Sequence, residues 1–358
     1  MKKHIAIVGF GLSGRLAALQ LADEFLLSIF EASDCHASKS AGAVAAAMLA
    51  PLAESVLCEP DLAELGLRAI ARWPHIIKHL HGEVFFQQQG ALIVAHPQDF
   101  ADLQLFANRL KPLEQQQGQW LNREQIAQLE PALSTRFQKG MFLPCEGQLD
   151  NAAFYQASYQ SLLEKGIAWH FGNKVTINGN EVAGQIFDLV IDCRGLGAKT
   201  ERSGLRGVRG EVARVFAPQV TLSRPVRLMH PRYPIYIVPK PNHEFVIGAT
   251  EIESQDDGEV TVRSTLELLS AAYTIDSGFA EAQILSLKSG LRPSFVDNRP
   301  RITLGKQLIS INGLYRHGYL LAPVLVDEVV RQARHRLLEL DFMPASEHLA
   351  ELVQRVEE

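Results

Sequence analysis

The feature that most constrains this chain stands at its beginning. Residues 4 to 31, HIAIVGFGLSGRLAALQLADEFLLSIFE, read as an apolar strand, a glycine-rich turn, a small-residue helix and a second strand ending in an acid. That order is a βαβ unit, and its turn carries Gly9-x-Gly11-x-x-Gly14. The first glycine permits the tight turn, the second lets backbone approach a pyrophosphate, and the third lets helix lie close on strand. Leu12 and Ser13 open that helix, whose positive end suits phosphate. Glu31 follows the apolar run 26–30, where a carboxylate can accept hydrogen bonds from both ribose hydroxyls. An acid at that position favours an unphosphorylated ribose, as in FAD or NAD.

Lys2 and Lys3 ahead of an apolar stretch also resemble a secretory signal, but Gly9, Gly11, Ser13, Gly14 and Arg15 interrupt it. No window offers about 18 uninterrupted apolar residues, so no membrane span is expected and the chain reads as cytoplasmic. Its 358 residues amount to two or three domains. A net charge of −5 argues against nucleic-acid binding, which usually needs a basic surplus. Cys35, Cys58, Cys145 and Cys193 are scattered without CxxC spacing, which fits a reduced compartment with neither zinc nor a disulfide framework. His75 and His79 share a helical face near His81, but no neighbouring carboxylate or cysteine completes a ligand set. A solvated helix face is therefore expected there, and no metal.

Further along, residues 41–51 are almost all small, which allows backbone to approach something large and flat or, equally, a helix to pack on a sheet. The segment 54–82 reads as helical, with Pro74 as a helix start. Strands are expected between 84 and 94, a capping box at Asn122 and Gln125, a helix over 151–165, and strands at 168–171 and 174–177. The buried-strand pattern 187–193 is followed at once by Gly195 and Gly197, a second glycine-marked strand end consistent with the same sheet returning. A hairpin is expected around Pro241 and Asn242, and a helix over 265–273.

Five patches, taken in order, carry a likeness to a known family. They are the opening fingerprint with Glu31, AAAMLAPLAE at 45–54, YIVPK with VIGATEIE within 236–253, GLRP at 290–293 and YRHGYLLAP at 315–323. Together they resemble the FAD-dependent D-amino-acid oxidase superfamily, most closely its thiamine-pathway glycine oxidase branch. The resemblance implies an α/β chain: a Rossmann-like FAD-binding domain from 1–85, 146–212 and 292–358, and an inserted α+β substrate domain from 86–145 and 213–291, built on a large mixed or antiparallel sheet. It places Ala47, Met48 and Leu49 beside the isoalloxazine, and assigns Val175 and Gly195 to the cofactor. It also brings Arg316, His317, Gly318, Tyr319, Leu320 and Leu321 to the flavin edge at a helix start, where an anion is stabilised as charge builds on the ring.

By the same likeness Arg292 clamps a substrate carboxylate through a forked pair of hydrogen bonds, against the plain alternative of a structural salt bridge. Tyr236 reaches that carboxylate, or is a core aromatic. Arg316 stands at the pocket wall and holds either substrate or a flavin carbonyl. The chain departs from the best-known glycine oxidases at Ala43, Pro234 and Glu251, and the last two bear on substrate size and charge.

The implied chemistry is oxidation of a small amine or amino acid to an imine, hydrolysis to a 2-oxo acid and ammonia, and reoxidation of the flavin by dioxygen to give hydrogen peroxide. With glycine the imine would serve thiazole formation in thiamine synthesis. Alternatives are a sarcosine or D-amino-acid dehydrogenase with another electron acceptor, the flavin half of a tRNA-modifying enzyme, or a flavin-binding protein without turnover; a homo-oligomer is compatible with each. Relatives that tether flavin through a cysteine use one well into the C-terminal half, whereas the last cysteine here, Cys193, lies close to the middle of the chain. Non-covalent FAD is therefore expected: denaturing the yellow protein should release the colour, and colour retained on the polypeptide would overturn this.

Overall fold

The computed structural model describes residues 2–133, 135–338 and 343–356. Its first sheet grows from the strand His4–Val8, whose Ile5 and Ile7 face one side and Ala6 and Val8 the other, all buried. Burial on both faces explains why this strand is apolar throughout instead of alternating. The full order is Val353–Arg355, Arg301–Leu304, Leu308–Asn312, Leu189–Asp192, His4–Val8, Leu26–Glu31, Ala168–Phe171. The last five run parallel, and Arg301–Leu304 is antiparallel to its inner neighbour.

Helices Leu12–Leu21 and Gly318–Leu337 pack on the Ile5 face of this sheet, with Asn151–Leu163 beside Leu12–Leu21. The opposite face is covered by a small antiparallel sheet of Ile177–Asn178, Glu181–Val182 and Gln185–Ile186.

A second sheet has eight strands in the order Gln283–Ser294, Arg206–Phe216, Glu244–Gly248, Ile235–Pro239, Val226–Met229, Ala91–Ala95, Lys139–Leu143, Gln119–Asn122. It is mixed, because Val226–Met229 and Ala91–Ala95 pair in parallel. Side chains alternate between its faces. Ile237, Phe245 and Ile247 pack under helix Val262–Ile275, while Tyr236, Val238 and Val246 meet Val44, Ala46 and Met48 from the first lobe. The contact between the two sheets' lobes is therefore the small-residue segment after the opening unit.

The capping box at Asn122 and Gln125 is present, and the hairpin around Pro241 and Asn242 joins Ile235–Pro239 to Glu244–Gly248. Two expectations shift. The helical stretch over 54–82 is two helices, Pro60–Ile70 and Arg72–Lys78; Pro60 starts the first, and Pro74 lies in the first turn of the second, where a missing N–H costs nothing. No strand covers 174–176, because Gly172, at φ 85°, donates to the carbonyls of Glu31 and Ser33 and turns the chain over the sheet end. The boundaries at 212 and 292 fall inside Arg206–Phe216 and Gln283–Ser294, which pair with each other along their length in the eight-stranded sheet.

No helix among the described residues is long and apolar enough to cross a membrane, and no group of three or more His, Cys, Asp or Glu side chains is placed to hold a metal.

The three turn glycines meet different surroundings. A Cβ on Gly14 would lie 1.9 Å from the carbonyl oxygen of Gly9, and one on Gly9, at φ 96°, 2.5 Å from that of Cys193. At Gly11 a methyl group would meet only Ser40, at 3.4 Å, and φ −69° suits any residue. Gly14→Ala should thus cost about 2–3 kcal/mol of folding stability by overpacking. Gly11→Ala should fold normally and lose affinity for the dinucleotide. Thermal unfolding of both variants with and without added FAD checks the contrast; equal destabilisation would contradict it.

Candidate active site

The nucleotide end is built from the strand and helix termini of the first sheet. Gly9 N–H donates to the carbonyl of Phe30 at 2.7 Å, drawing the turn across the end of the neighbouring strand. The Glu31 carboxylate accepts from Phe10 N–H at 2.8 Å through Oε2, and from Ser33 N–H and Oγ–H at 2.9 and 2.7 Å through Oε1. Those donors fix its orientation at the strand end and, with Oε1 already accepting two hydrogen bonds, leave a further lone pair on Oε2 for a hydroxyl.

No side chain caps helix Leu12–Leu21, whose N-cap is Gly11, so the amides at its start are open to a ligand. Gly195, at φ 54°, stands at the second glycine-marked strand end and is tied by its carbonyl to Asn312. Val175 packs beside the Phe30 and Phe187 cluster.

The expected second helix start is also there. Gly318, Tyr319, Leu320 and Leu321 are the first four residues of Gly318–Leu337, again without a side-chain cap. Tyr319, Leu320 and Leu321 bury their side chains in the core, and the Tyr319 hydroxyl donates to Gly42 O at 2.9 Å. They can therefore serve a ligand only through backbone amides, of which those of Gly318, Tyr319 and Leu320 precede the first i→i−4 bond of the helix. A Cβ on Gly318 would lie 3.8 Å from Leu12, so the two open helix ends adjoin. Two converging amide clusters and a ribose-ready carboxylate fit FAD.

Between the lobes, the small-residue segment forms a short helix Ala41–Val44 and then a strand Met48–Leu49 paired with Gly147–Leu149. Ala47 is left-handed at φ 53°. Buried Lys240 holds this segment in place by donating to Ala46 O at 2.9 Å and Leu149 O at 2.7 Å; its burial lowers the ammonium pKa to about 7. Met48 packs against the cluster that contains Tyr236, while Leu49 is fully buried.

Tyr236 and Arg292 come together on the facing sheet because two glycines make room. The Tyr236 ring lies where a Cβ on Gly248 would sit, 2.8 Å away, and the Arg292 guanidinium fills the space over Gly210, 2.4 Å from a Cβ there. Arg292 reaches only carbonyls, Thr250 O at 3.3 and 3.4 Å and Arg209 O at 3.5 Å; none of the described carboxylates pairs with it. The Tyr236 hydroxyl makes no hydrogen bond to the described residues, and its pKa is raised by burial against the opposing pull of Arg292, Arg227 and Arg316.

Arg316 is differently placed. Its Nε donates to Glu54 Oε2 at 2.7 Å and its Nη1 to Glu251 Oε2 at 3.1 Å, so two carboxylates already occupy most of its fork. Arg227, the cross-strand neighbour of Tyr236, meets the other Glu54 oxygen at 3.3 Å, and buried His317 brings Nδ1 within 3.4 Å of Oε2. Burial alone would raise the Glu54 pKa, but Arg316, His317 and Arg227 outweigh it and hold it at about 2. Desolvation keeps His317 below its ordinary value in spite of Glu54. Nearby Glu146, buried with one oxygen bonded to Ala53 N–H, is pushed up to about 7, chiefly by desolvation.

Sequence reasoning placed Tyr236, Arg292, Arg316 and the two helix ends, but gave no role to Glu54, Arg227, Lys240 or Arg15. Arg15 is fully buried after Gly14, donating to Tyr155 O and Cys35 O and stacking on Phe10 and Tyr155. Glu54 and Lys240 close the AAAMLAPLAE and YIVPK patches, a usable signal; Arg227 had none.

Fold and site together define a dinucleotide-dependent oxidoreductase. The family model for FAD-dependent oxidoreductases matches residues 4–331, and the chain belongs to that family. It is thus an FAD-binding flavoenzyme of the amine and amino-acid oxidase class. It is 38% identical to a thiamine biosynthesis oxidoreductase, ThiO, of Rhizobium etli over 92% of this chain and 96% of that protein. It is 25% identical to a glycine oxidase of Geobacillus kaustophilus over 96% of both. The crystal structure of glycine oxidase from that organism superposes with a TM-score of 0.80 at 23% identity, covering 99% of this chain and 100% of the other.

Removing Glu54 leaves two guanidinium groups without their shared counter-charge. Glu54→Gln should cost about 3 kcal/mol, as expected for breaking a buried pair from one side. Because its folded pKa is depressed, Glu54 contributes stability that is present above its ordinary value of 4.5 and lost as pH falls toward about 2. Acid unfolding of wild type and Glu54→Gln should therefore converge between those values, and parallel curves would refute the assignment.

Proposed function

We propose that this protein oxidises glycine, or another small amine or amino acid, to the imine, which water hydrolyses to a 2-oxo acid and ammonia. Dioxygen is the proposed electron acceptor, giving hydrogen peroxide. Dehydroglycine, the imine of glycine, is the proposed contribution to the thiazole moiety of thiamine, a role supported by similarity to ThiO of Rhizobium etli. FAD, when bound, supplies the two-electron redox chemistry.

Arg292 carries this assignment. Of the three arginines that act on Tyr236, it alone has no carboxylate partner among the described residues. A substrate carboxylate would complete its fork through charge-assisted hydrogen bonds, and the adjacent Tyr236 hydroxyl would donate to the same group. That grip fixes Cα in front of the Met48 wall and limits the substrate's freedom, the main contribution a protein makes when a cofactor does the chemistry. Neither Glu54 nor Glu251 is free to act as a base, since Arg227 and Arg316 engage Glu54, and Arg316 and Tyr315 engage Glu251. The amine nitrogen must then arrive unprotonated, so that its own lone pair assists loss of the Cα hydrogen.

Anaerobic mixing of the holoenzyme with glycine, sarcosine and D-alanine should bleach the flavin with at least one of them, and admitting air should restore the colour with peroxide. Bleaching that air does not reverse would assign a different acceptor; no bleaching would reject oxidation of these amines. Arg292→Ala should raise KM about 100-fold, the scale of losing a bidentate ionic contact. Unchanged saturation would remove Arg292 from substrate binding.

A further inference from the structure

The guanidinium groups of Arg292, Arg227 and Arg316 and the carboxylate of Glu54 act on the Tyr236 hydroxyl, Glu251 pairs with Arg316 beside them, and the pairing is uneven. Glu54 serves Arg227 at 3.3 Å and Arg316 at 2.7 Å, and Glu251 takes the remaining approach to Arg316 at 3.1 Å. Arg227 and Arg316 are thus paired with carboxylates, and Arg292 is the one of the three without a carboxylate partner among the described residues. Glu251 also follows directly on Thr250, whose carbonyl Arg292 touches, so clamp and acid adjoin along the chain. Its side chain is 49% exposed, while that of Glu54 is 11% exposed. Glu54 is thus the inner counter-charge, and Glu251 is the outer, more solvent-exposed one.

We propose that Glu251 is a charge-selecting residue: it closes the second arginine to anions and repels any further acid on the substrate, restricting the enzyme to amines with a single carboxylate. This rests on Arg292 holding that one carboxylate. A two-acid amine would have to place its second carboxylate beside Glu251 with Arg316 already engaged. Repulsion between two like charges in a partly exposed site changes binding by roughly a factor of ten. Amines whose far end is neutral or cationic meet no such penalty.

The Tyr315 hydroxyl donates to Glu251 at 2.6 Å, which offers a control. Glu251→Gln keeps the side chain's shape and removes its charge; Tyr315→Phe keeps the charge and removes the hydrogen bond that steadies it. The holoenzymes would be compared by the rate of flavin reduction with two matched pairs, sarcosine against iminodiacetate and D-alanine against D-aspartate. The wild type should strongly prefer the one-acid member of each pair. In Glu251→Gln the ratio of kcat/KM should move about tenfold toward the two-acid member, an effect that added salt reduces. In Tyr315→Phe it should stay within about twofold of wild type, since the charge is intact.

An unchanged ratio in Glu251→Gln, or an equal shift in Tyr315→Phe, would overturn charge selection and leave Glu251 as a loop fastener. Comparable use of both members by the wild type would overturn it as well. Failure of every one-acid amine to reduce the wild-type flavin is a different result: it rejects the proposed amine oxidation itself, and the selection with it.

Discussion

One carboxylate holds the two halves of the site in register. Glu54 ends the short helix Pro51–Glu54 in the segment that crosses between the lobes. It binds Arg316, which precedes the last helix of the dinucleotide lobe, and Arg227, on a strand of the eight-stranded sheet. Without it Arg227 would lose its carboxylate partner and Arg316 would keep only Glu251, and a charge left unpaired away from water is costly. The helix start at Gly318 and the sheet face carrying Tyr236 are thereby fixed relative to each other. Lys240 repeats the device with carbonyls in place of a carboxylate, pinning Ala46 and Leu149 to the hairpin that carries Tyr236.

With those charges satisfied internally, the chemistry concentrates where satisfaction is incomplete. Arg292 has only long contacts to carbonyls, and its room exists because Gly210 has no side chain. Gly248 does the same for the Tyr236 ring. Binding energy for a substrate carboxylate is stored in this mismatch: a planar, permanently charged fork is held in place with its natural partner missing.

Much of the fold could be read along the chain. The opening unit depends on neighbours within 28 residues, and glycine turns, an apolar strand and a terminal acid are local signals. The capping box at Asn122 and the hairpin at Pro241 and Asn242 are equally local, and both are present. The misplaced strand depends on distant partners instead. Whether 174–176 is a strand depends on the capping of Glu31 and Ser33 carbonyls by Gly172, a contact made across more than 130 positions.

The same division separates the two ends of the site. Sequence alone determined the glycine turn that opens the first βαβ unit, because the requirement for bare Cα atoms at Gly9 and Gly14 is set by backbone within the same unit and the strand beside it. Likeness in the later patches pointed to Tyr236, Arg292 and Arg316, yet could not tell a clamp from a salt bridge. Only the tertiary structure decided that Arg316 is engaged and Arg292 is not, because charge pairing is settled by which side chains converge from residues 54, 227, 251, 292 and 316, and that convergence exists only once both sheets have formed.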